Sequence, residues 1–378
     1  MSLMQELGQR ALDCGVPLSV QLDVTYRCNE RCVHCYLDHN DHGEMTTAEI
    51  RDLLDQLADA GVFFLTLSGG EVFMRMDFFD ILEYARSLMF CVKVKTNAFM
   101  IREKEALRLR DLEVQDVQVS IYSHRPEVHD AITLLPGSLN RSVAGIRLLR
   151  SHGVKVIIAN VLMMQNLGDH TSVKALAAEL GAGYTIDPTI TPMMDGDRNV
   201  LRLGLGVPQL QSVFHNSDLV GDVDSFCAPP IGASGDVLKE LPCSAGHTAC
   251  YISPYGDLFP CVQFPLPSGN VRRQKFMDIW RYSDQLNQVR SITLQDLPVC
   301  STCSHVGSCS RCPGLAYLEG NMRGPSMQDC EKSFARTGIP SANMHLKKNT
   351  PPFRGLVQIN ALLPAEQKPS CSVLDNVM

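Results

Sequence analysis

The placement of the cysteines constrains this chain more than any other feature. Fifteen are present, and they are not scattered. Cys28, Cys32 and Cys35 share the stretch TYRCNERCVHCYLD (residues 25–38), and eight more lie between Cys243 and Cys330. Cys14, Cys91, Cys227 and Cys371 stand apart and read as small buried hydrophobes or, at the tail, an incidental thiol. Thiols packed so closely either cross-link or hold metal. The N-terminus, MSLMQELGQRALDCGVPLSV, lacks a basic segment followed by an apolar core, so no secretory signal is read there. No apolar run approaches the ~20 residues that span a bilayer. A cytoplasmic location without membrane attachment is therefore expected, and in that reducing pool clustered cysteines hold metal more often than they pair. The net charge of −7 over 378 residues leaves no basic footprint, so nucleic acid is not an expected partner.

Residues 18–190 alternate strand-like and helix-like segments. The strands are LSVQLDV (18–24), VFFLTLS (62–68), CVKVKTN (91–97), QDVQVSIYS (115–123), VKVIIANVLMM (154–164) and GYTIDPTI (183–190). Between them, TTAEIRDLLDQLADAG (46–61) opens on Thr46 with Glu49 three residues on, a capping box, and ends at Gly61. Further helices are read at 77–88, 103–112, 138–153 and 170–181. Alternation of this kind implies a parallel α/β sheet with right-handed crossovers, and six units fall short of a closed eight-fold barrel. Strands buried on both faces read as continuous apolar runs, as VFFLTL (62–67) and VIIANVL (156–162) do. In such folds chemistry sits at the C-terminal ends of the strands, where the cysteine triplet, the GGE of residues 69–71 and SIYS (120–123) all fall. Residues 192–242 are loop-rich, with one modest helix near 207–214, and residues after 336 show no periodicity.

Three thiolates without a fourth neighbour do not suit structural zinc, which takes four ligands, whereas a four-iron cluster held by three cysteines keeps one iron open. Here a resemblance enters. Cys-x3-Cys-x2-Cys followed by Tyr36, after the first strand of a β/α chain, resembles the radical S-adenosylmethionine superfamily. SGGE (68–71) after the second strand is similar to that superfamily's glycine-rich segment. The resemblance implies a partial (β/α)6 barrel in which Cys28, Cys32 and Cys35 hold the catalytic cluster and its open iron binds S-adenosylmethionine. It further implies that Gly69, Gly70 and the Glu71 region meet the methionyl part, that Tyr36 lies against the adenine, and that Ser120 contacts ribose or carboxylate. Val72, where the family usually has Pro, and the form of VSIYS are departures.

The second group reads PCSAGHTACYISPYGDLFPC (242–261), then CSTCSHVGSCSRC (300–312), then Cys330. Eight cysteines suffice for two fully ligated clusters. A pair of zinc ribbons is the alternative, although five residues between Cys303 and Cys309 is short for one. The arrangement resembles the SPASM extension of radical S-adenosylmethionine enzymes, with Cys309-x2-Cys312 a small departure. By that resemblance one auxiliary cluster takes Cys243, Cys250, Cys261 and Cys312, and the other takes Cys300, Cys303, Cys309 and Cys330. Shared ligation of this kind holds a core-poor domain together.

The organisation expected is thus an N-terminal segment (1–17), a radical core (18–191), a connecting region (192–242), a small SPASM iron–sulfur domain (243–335) and a tail (336–378). The resemblance implies three 4Fe-4S clusters and reductive cleavage of S-adenosylmethionine to a 5′-deoxyadenosyl radical that abstracts hydrogen. SPASM enzymes mostly modify peptides or proteins, so a peptide maturase is expected, introducing a cross-link, an epimerisation or an oxidation. A haem-pathway enzyme acting on tetrapyrrole propionates is the alternative. A flavodoxin- or ferredoxin-type electron donor is implied. Because the barrel begins within about 18 residues, a separate peptide-recognition protein, or none, is expected.

Overall fold

The computed structural model describes residues 3–39, 41–194, 196–230, 232 and 235–344. Cys371 and the tail beyond 344 lie outside the described residues. A first helix, α1 (Leu3–Asp13), occupies most of the N-terminal segment and was not foreseen. The barrel then runs β1 (Ser19–Thr25), α2 (Thr47–Asp59), β2 (Phe64–Gly69), α3 (Phe78–Ser87), β3 (Cys91–Thr96), α4 (Glu103–Asp111) and β4 (Asp116–Ser120). It continues with α5 (Pro126–Thr133), α6 (Ser138–Ser151), β5 (Val156–Val161), α7 (His170–Glu179) and β6 (Gly183–Asp187), and α8 (Val207–Phe214) follows in the connecting region. All six strands of the partial barrel stand where the alternation put them, each parallel to its neighbours. The capping box of α2 is made in both directions: Glu49 N–H donates to Thr46 Oγ1, and Thr46 N–H donates to Glu49 Oε2 at 2.8 Å. Ile50, Leu53, Leu54 and Leu57 bury the inner stripe of that helix.

The strands are not apolar on both faces. Val20, Leu22, Leu65, Leu67, Val92, Val94, Val117, Val119, Val156 and Ile158 point to the helices and form the main core. The alternate positions, among them Gln21, Lys95, Gln118, Thr185 and Asp187, line an internal cavity. Period-two alternation thus separates a packed layer outside the sheet from a polar lining inside it.

The expected boundary near residue 243 is crossed by the sheet. Strand β7 (Ala249–Ile252) pairs in parallel with β1, from Ser19 opposite Ala249 to Leu22 opposite Ile252. Two short antiparallel strands, β8 (Asp257–Phe259) and β9 (Gly269–Asn270), complete the order β6-β5-β4-β3-β2-β1-β7-β8-β9. The core is shared as well. Phe276, Ile279 and Trp280 of the Phe276–Tyr282 helix belong to the same buried cluster as the barrel residues. Trp280 is 1 % exposed and donates its indole N–H to the Gly15 carbonyl at 2.8 Å. Of the isolated thiols, Cys14 is exposed while Cys91 and Cys227 are half-buried, so none of these three is a core residue.

Replacing Trp280 with Ala is expected to remove about 3–5 kcal/mol of stability. Because the core is continuous, urea denaturation should shift as one transition; a biphasic curve that leaves the barrel phase unmoved would refute the shared core.

Candidate active site

A cavity of about 580 Å³ opens at the C-terminal ends of β1 to β6. Cys28, Cys32, Cys35, Tyr36, Gly69, Gly70 and Ser120 all line it, as do Val262 and Gln263 from beyond the barrel. The cysteine loop is pinned to the end of α5, since Arg31 N–H donates to the Thr133 carbonyl at 3.0 Å and Val33 N–H to that of Ile132 at 2.9 Å. Helix α5 begins with Pro126 in its first turn, a start signal the sequence reading passed over.

The triplet suits an iron–sulfur cluster chemically. Burial pushes the Cys28 thiol up to about 12 and those of Cys32 and Cys35 upward too. Thiols so placed stay protonated until a metal takes the sulfur. Donors already aim at sulfur: Glu30 N–H lies 3.4 Å from Cys28 Sγ, and the Tyr122 hydroxyl lies 3.9 Å from Cys32 Sγ. Four buried polar atoms of cavity-lining residues, Glu30 Oε1, His34 Nδ1, His39 Nδ1 and Asn160 Oδ1, have no protein partner. Such atoms are costly unless a ligand or water satisfies them.

Glu71 departs from expectation. Its carboxylate is wholly buried and accepts from the Thr96 hydroxyl at 2.7 and 2.8 Å, from Asn97 N–H at 2.7 Å and from Phe73 N–H at 3.2 Å. The side chain does not line the cavity; it braces the end of β2 against the end of β3. The glycines have a second duty beside lining the cavity. A Cβ at Gly70 would lie 2.4 Å from the Arg27 carbonyl oxygen and 2.6 Å from that of Tyr26. At Gly69, with φ of +139°, it would lie 2.1 Å from the Thr25 oxygen. Only glycine lets this turn press against the root of the cysteine loop.

Residues the sequence reading did not single out complete the wall: Lys95 and Asn97 from β3 and its exit, Gln118 from β4, Asn160 from β5, and Thr185 and Asp187 from β6. Their signal was present as polar residues at alternate positions in otherwise apolar strands. A second cavity, of about 570 Å³, shares Ile190 with the first and lies between the region around α8 and the Met327–Thr337 helix.

The eight C-terminal cysteines separate into two sets. Cys300, Cys303, Cys309 and Cys330 line one cavity of about 140 Å³ with Arg311 and Asp329. Besides burial, the nearby thiols that push Cys330 up are Cys309, Cys300 and Cys303. In the other set, Cys261 adds to the upward shift of both Cys250 and Cys312, and Cys243 adds to that of Cys261.

Two family profiles match the chain: the radical SAM superfamily over residues 22–176 and the iron–sulfur cluster-binding SPASM domain over 243–313. The mycofactocin maturase MftC of Mycobacterium tuberculosis is 30 % identical over 329 residues, covering 83 % of this chain and 82 % of that one. An AdoMet-dependent heme synthase of Methanosarcina barkeri is 28 % identical over 326 residues, covering 80 % and 93 %. In fold the chain is similar to Streptococcus suis SuiB crystallised with its precursor peptide SuiA, at a TM-score of 0.68 and 17 % identity over 86 % of this chain and 79 % of that one. The protein belongs to the radical S-adenosylmethionine superfamily and carries a SPASM extension. It is thus an enzyme that uses iron–sulfur chemistry and S-adenosylmethionine. Cys330 lies beyond the matched SPASM segment, yet it shares a cavity with Cys300, Cys303 and Cys309. Among the described residues no helix is long and apolar enough to cross a membrane.

Gly70→Ala is expected to destabilise the protein by roughly 1–3 kcal/mol, because the added methyl meets backbone rather than a movable side chain. Gly8→Ala is the control, since a Cβ there meets nothing within 4 Å. Thermal denaturation of the two variants should separate them, with Gly8→Ala neutral or stabilising.

Proposed function

We propose that this enzyme is a peptide maturase: it cleaves S-adenosylmethionine reductively and directs the resulting radical at a C–H bond of a peptide or protein substrate. The similarity to a mycofactocin maturase over more than four fifths of both chains is the observation that carries the reading. The second cavity, which meets the first at Ile190, supports a substrate longer than the reacting residue.

Cys28, Cys32 and Cys35 would hold the catalytic 4Fe-4S cluster. Gly69, Gly70, Ser120 and Tyr36 would receive S-adenosylmethionine at the wall of the cavity. Bound together, these groups supply a 5′-deoxyadenosyl radical able to take hydrogen from an unactivated C–H bond. The chain's part is to hold the reacting carbon in place and keep bulk water out of a cavity roofed by Tyr36, Val262 and Gln263. Cys243, Cys250, Cys261 and Cys312 would hold one auxiliary 4Fe-4S cluster, and Cys300, Cys303, Cys309 and Cys330 the other. With every iron of these clusters ligated by protein, their remaining roles are electron transfer and holding the segment folded. A flavodoxin- or ferredoxin-type donor would supply the electron. A second reading, tetrapyrrole decoration at propionate side chains, has the similarity to a heme synthase in its favour.

Anaerobic reconstitution is expected to load about twelve irons, four per cluster. Replacing Cys28, Cys32 and Cys35 together with Ala should leave about eight and abolish 5′-deoxyadenosine formation. Cleavage retained in the triple variant would place the active cluster elsewhere. Hydrogen transfer from a labelled peptide into 5′-deoxyadenosine tests the maturase reading; transfer from a tetrapyrrole propionate alone would replace it with the second.

A further inference from the structure

One cavity-lining side chain, Lys95, has no part in the roles assigned above. Lys95 is the single Lys or Arg among the residues that line the cavity. Its ammonium donates to Gln21 Oε1 at 3.1 Å and forms no ion pair among the described residues. An ammonium has three donors, and a buried one is retained when something satisfies it. Burial and Lys93 act against its charge, while Asp23, the Cys261 sulfur and Asp187 favour it from beyond ion-pair distance. The carboxylate of Asp187, on β6, already accepts from Thr189 N–H at 2.8 Å.

The ammonium is also held in place from behind. Gln21 accepts from Lys95 and donates its own amide to Asp23 Oδ1 at 3.1 Å. Asp23 is wholly buried and takes the Tyr251 hydroxyl on Oδ2 at 2.9 Å. Tyr251, which comes from β7, lies 2.6 Å from the Tyr26 hydroxyl. Its own proton goes to Asp23, so Tyr26 donates to it. This chain of hydrogen bonds leaves each amide and hydroxyl one orientation, and it ends on an ammonium facing the cavity.

We propose that Lys95 anchors a carboxylate of the substrate, with Gln21, Asp23 and Tyr251 as the positioning residues behind it. A carboxylate accepts a charge-assisted hydrogen bond from an ammonium and neutralises it where water is scarce, which an amide cannot do. The substrate class this selects is one that carries a free carboxylate near the carbon that reacts, such as a peptide C-terminus or an acidic side chain. The inference deepens the maturase reading, but its probe has no peptide sequence, so the two fail separately. Absence of hydrogen transfer from any peptide overturns the maturase reading; absence of an acid preference overturns the anchor.

The test uses the reconstituted full chain, with N-acetylglycine and N-acetylglycinamide as probes and binding followed by saturation-transfer NMR. The acid is expected to bind about tenfold or more tighter than the amide. Lys95→Met should bring that ratio to about one, and Lys95→Arg should keep most of it. Gln21→Met, which leaves the charge in place and removes its support, should lower the ratio severalfold, and it keeps the test open if Lys95→Met loses iron. S-adenosylmethionine affinity should stay within about twofold of wild type in Lys95→Met. With true substrate, KM should rise in that variant far more than 5′-deoxyadenosine formation without substrate falls. An acid preference that survives Lys95→Met, or equal binding of both probes to wild type, overturns the proposal. A loss of S-adenosylmethionine affinity of about tenfold would assign the ammonium to that molecule's own carboxylate and overturn it equally.

Discussion

The carboxylate of Glu71 is wholly buried and takes hydrogen bonds from three donors, and it ties together strand ends at the mouth of the cavity. Burial alone pushes its proton affinity up, while the Thr96 hydroxyl and the amides of Asn97 and Phe73 pull it back. A buried acid so fully engaged cannot shift without orphaning several donors, each of which carries its own desolvation cost. It therefore locks the exit of β2 to the exit of β3. The glycine turn rests on the cysteine loop on one side of that lock. On the other, Asn97 reaches the loop through Asn29 at 2.9 Å. Backbone and amides thus position the thiols.

The inner face of the sheet follows a different economy from the outer one. Outside, Val, Leu and Ile pack against helices in the main core. Inside, side chains that would be costly in a packed core persist because the strands enclose a cavity rather than each other. Asp23 shows the tension: burial raises it to about 6, and the bonds from Gln21 and Tyr251 work in the opposite direction. Those bonds keep it a useful anchor for its neighbours.

Much of the barrel was legible because its signals are local. Thr46 and Glu49 cap a helix whose apolar stripe repeats at helical spacing, and all six strands of the alternation appear within a few residues of their expected bounds. The cysteine triplet was legible for the same reason, as close spacing at a strand end. What could not be read depends on distant partners. Strands β7 to β9 are two to four residues long and hold cysteines and turns, so no periodicity develops. Glu71 looked like a ligand contact because the motif says nothing about Thr96 and Asn97 arriving from another strand. Lys95 and Gln118 were visible as polar positions in alternating strands, but which face they shared emerged only from the register that sets them opposite one another.

Pairing of β1 with β7 also bears on how the chain is made. Tyr26 and Tyr251 are 225 residues apart, so β1 leaves a ribosome long before its second neighbour exists. During that interval one edge of β1 presents free backbone donors and acceptors beside a loop of three reactive thiols. Contacts of such long sequence separation form late, and an unpaired edge invites pairing with another molecule. Cluster insertion in the C-terminal segment would then bear on the solubility of the N-terminal barrel, because a segment that fails to ligate its metals leaves that edge uncovered. Lower recovery under iron limitation would be the physical consequence of where one four-residue strand sits.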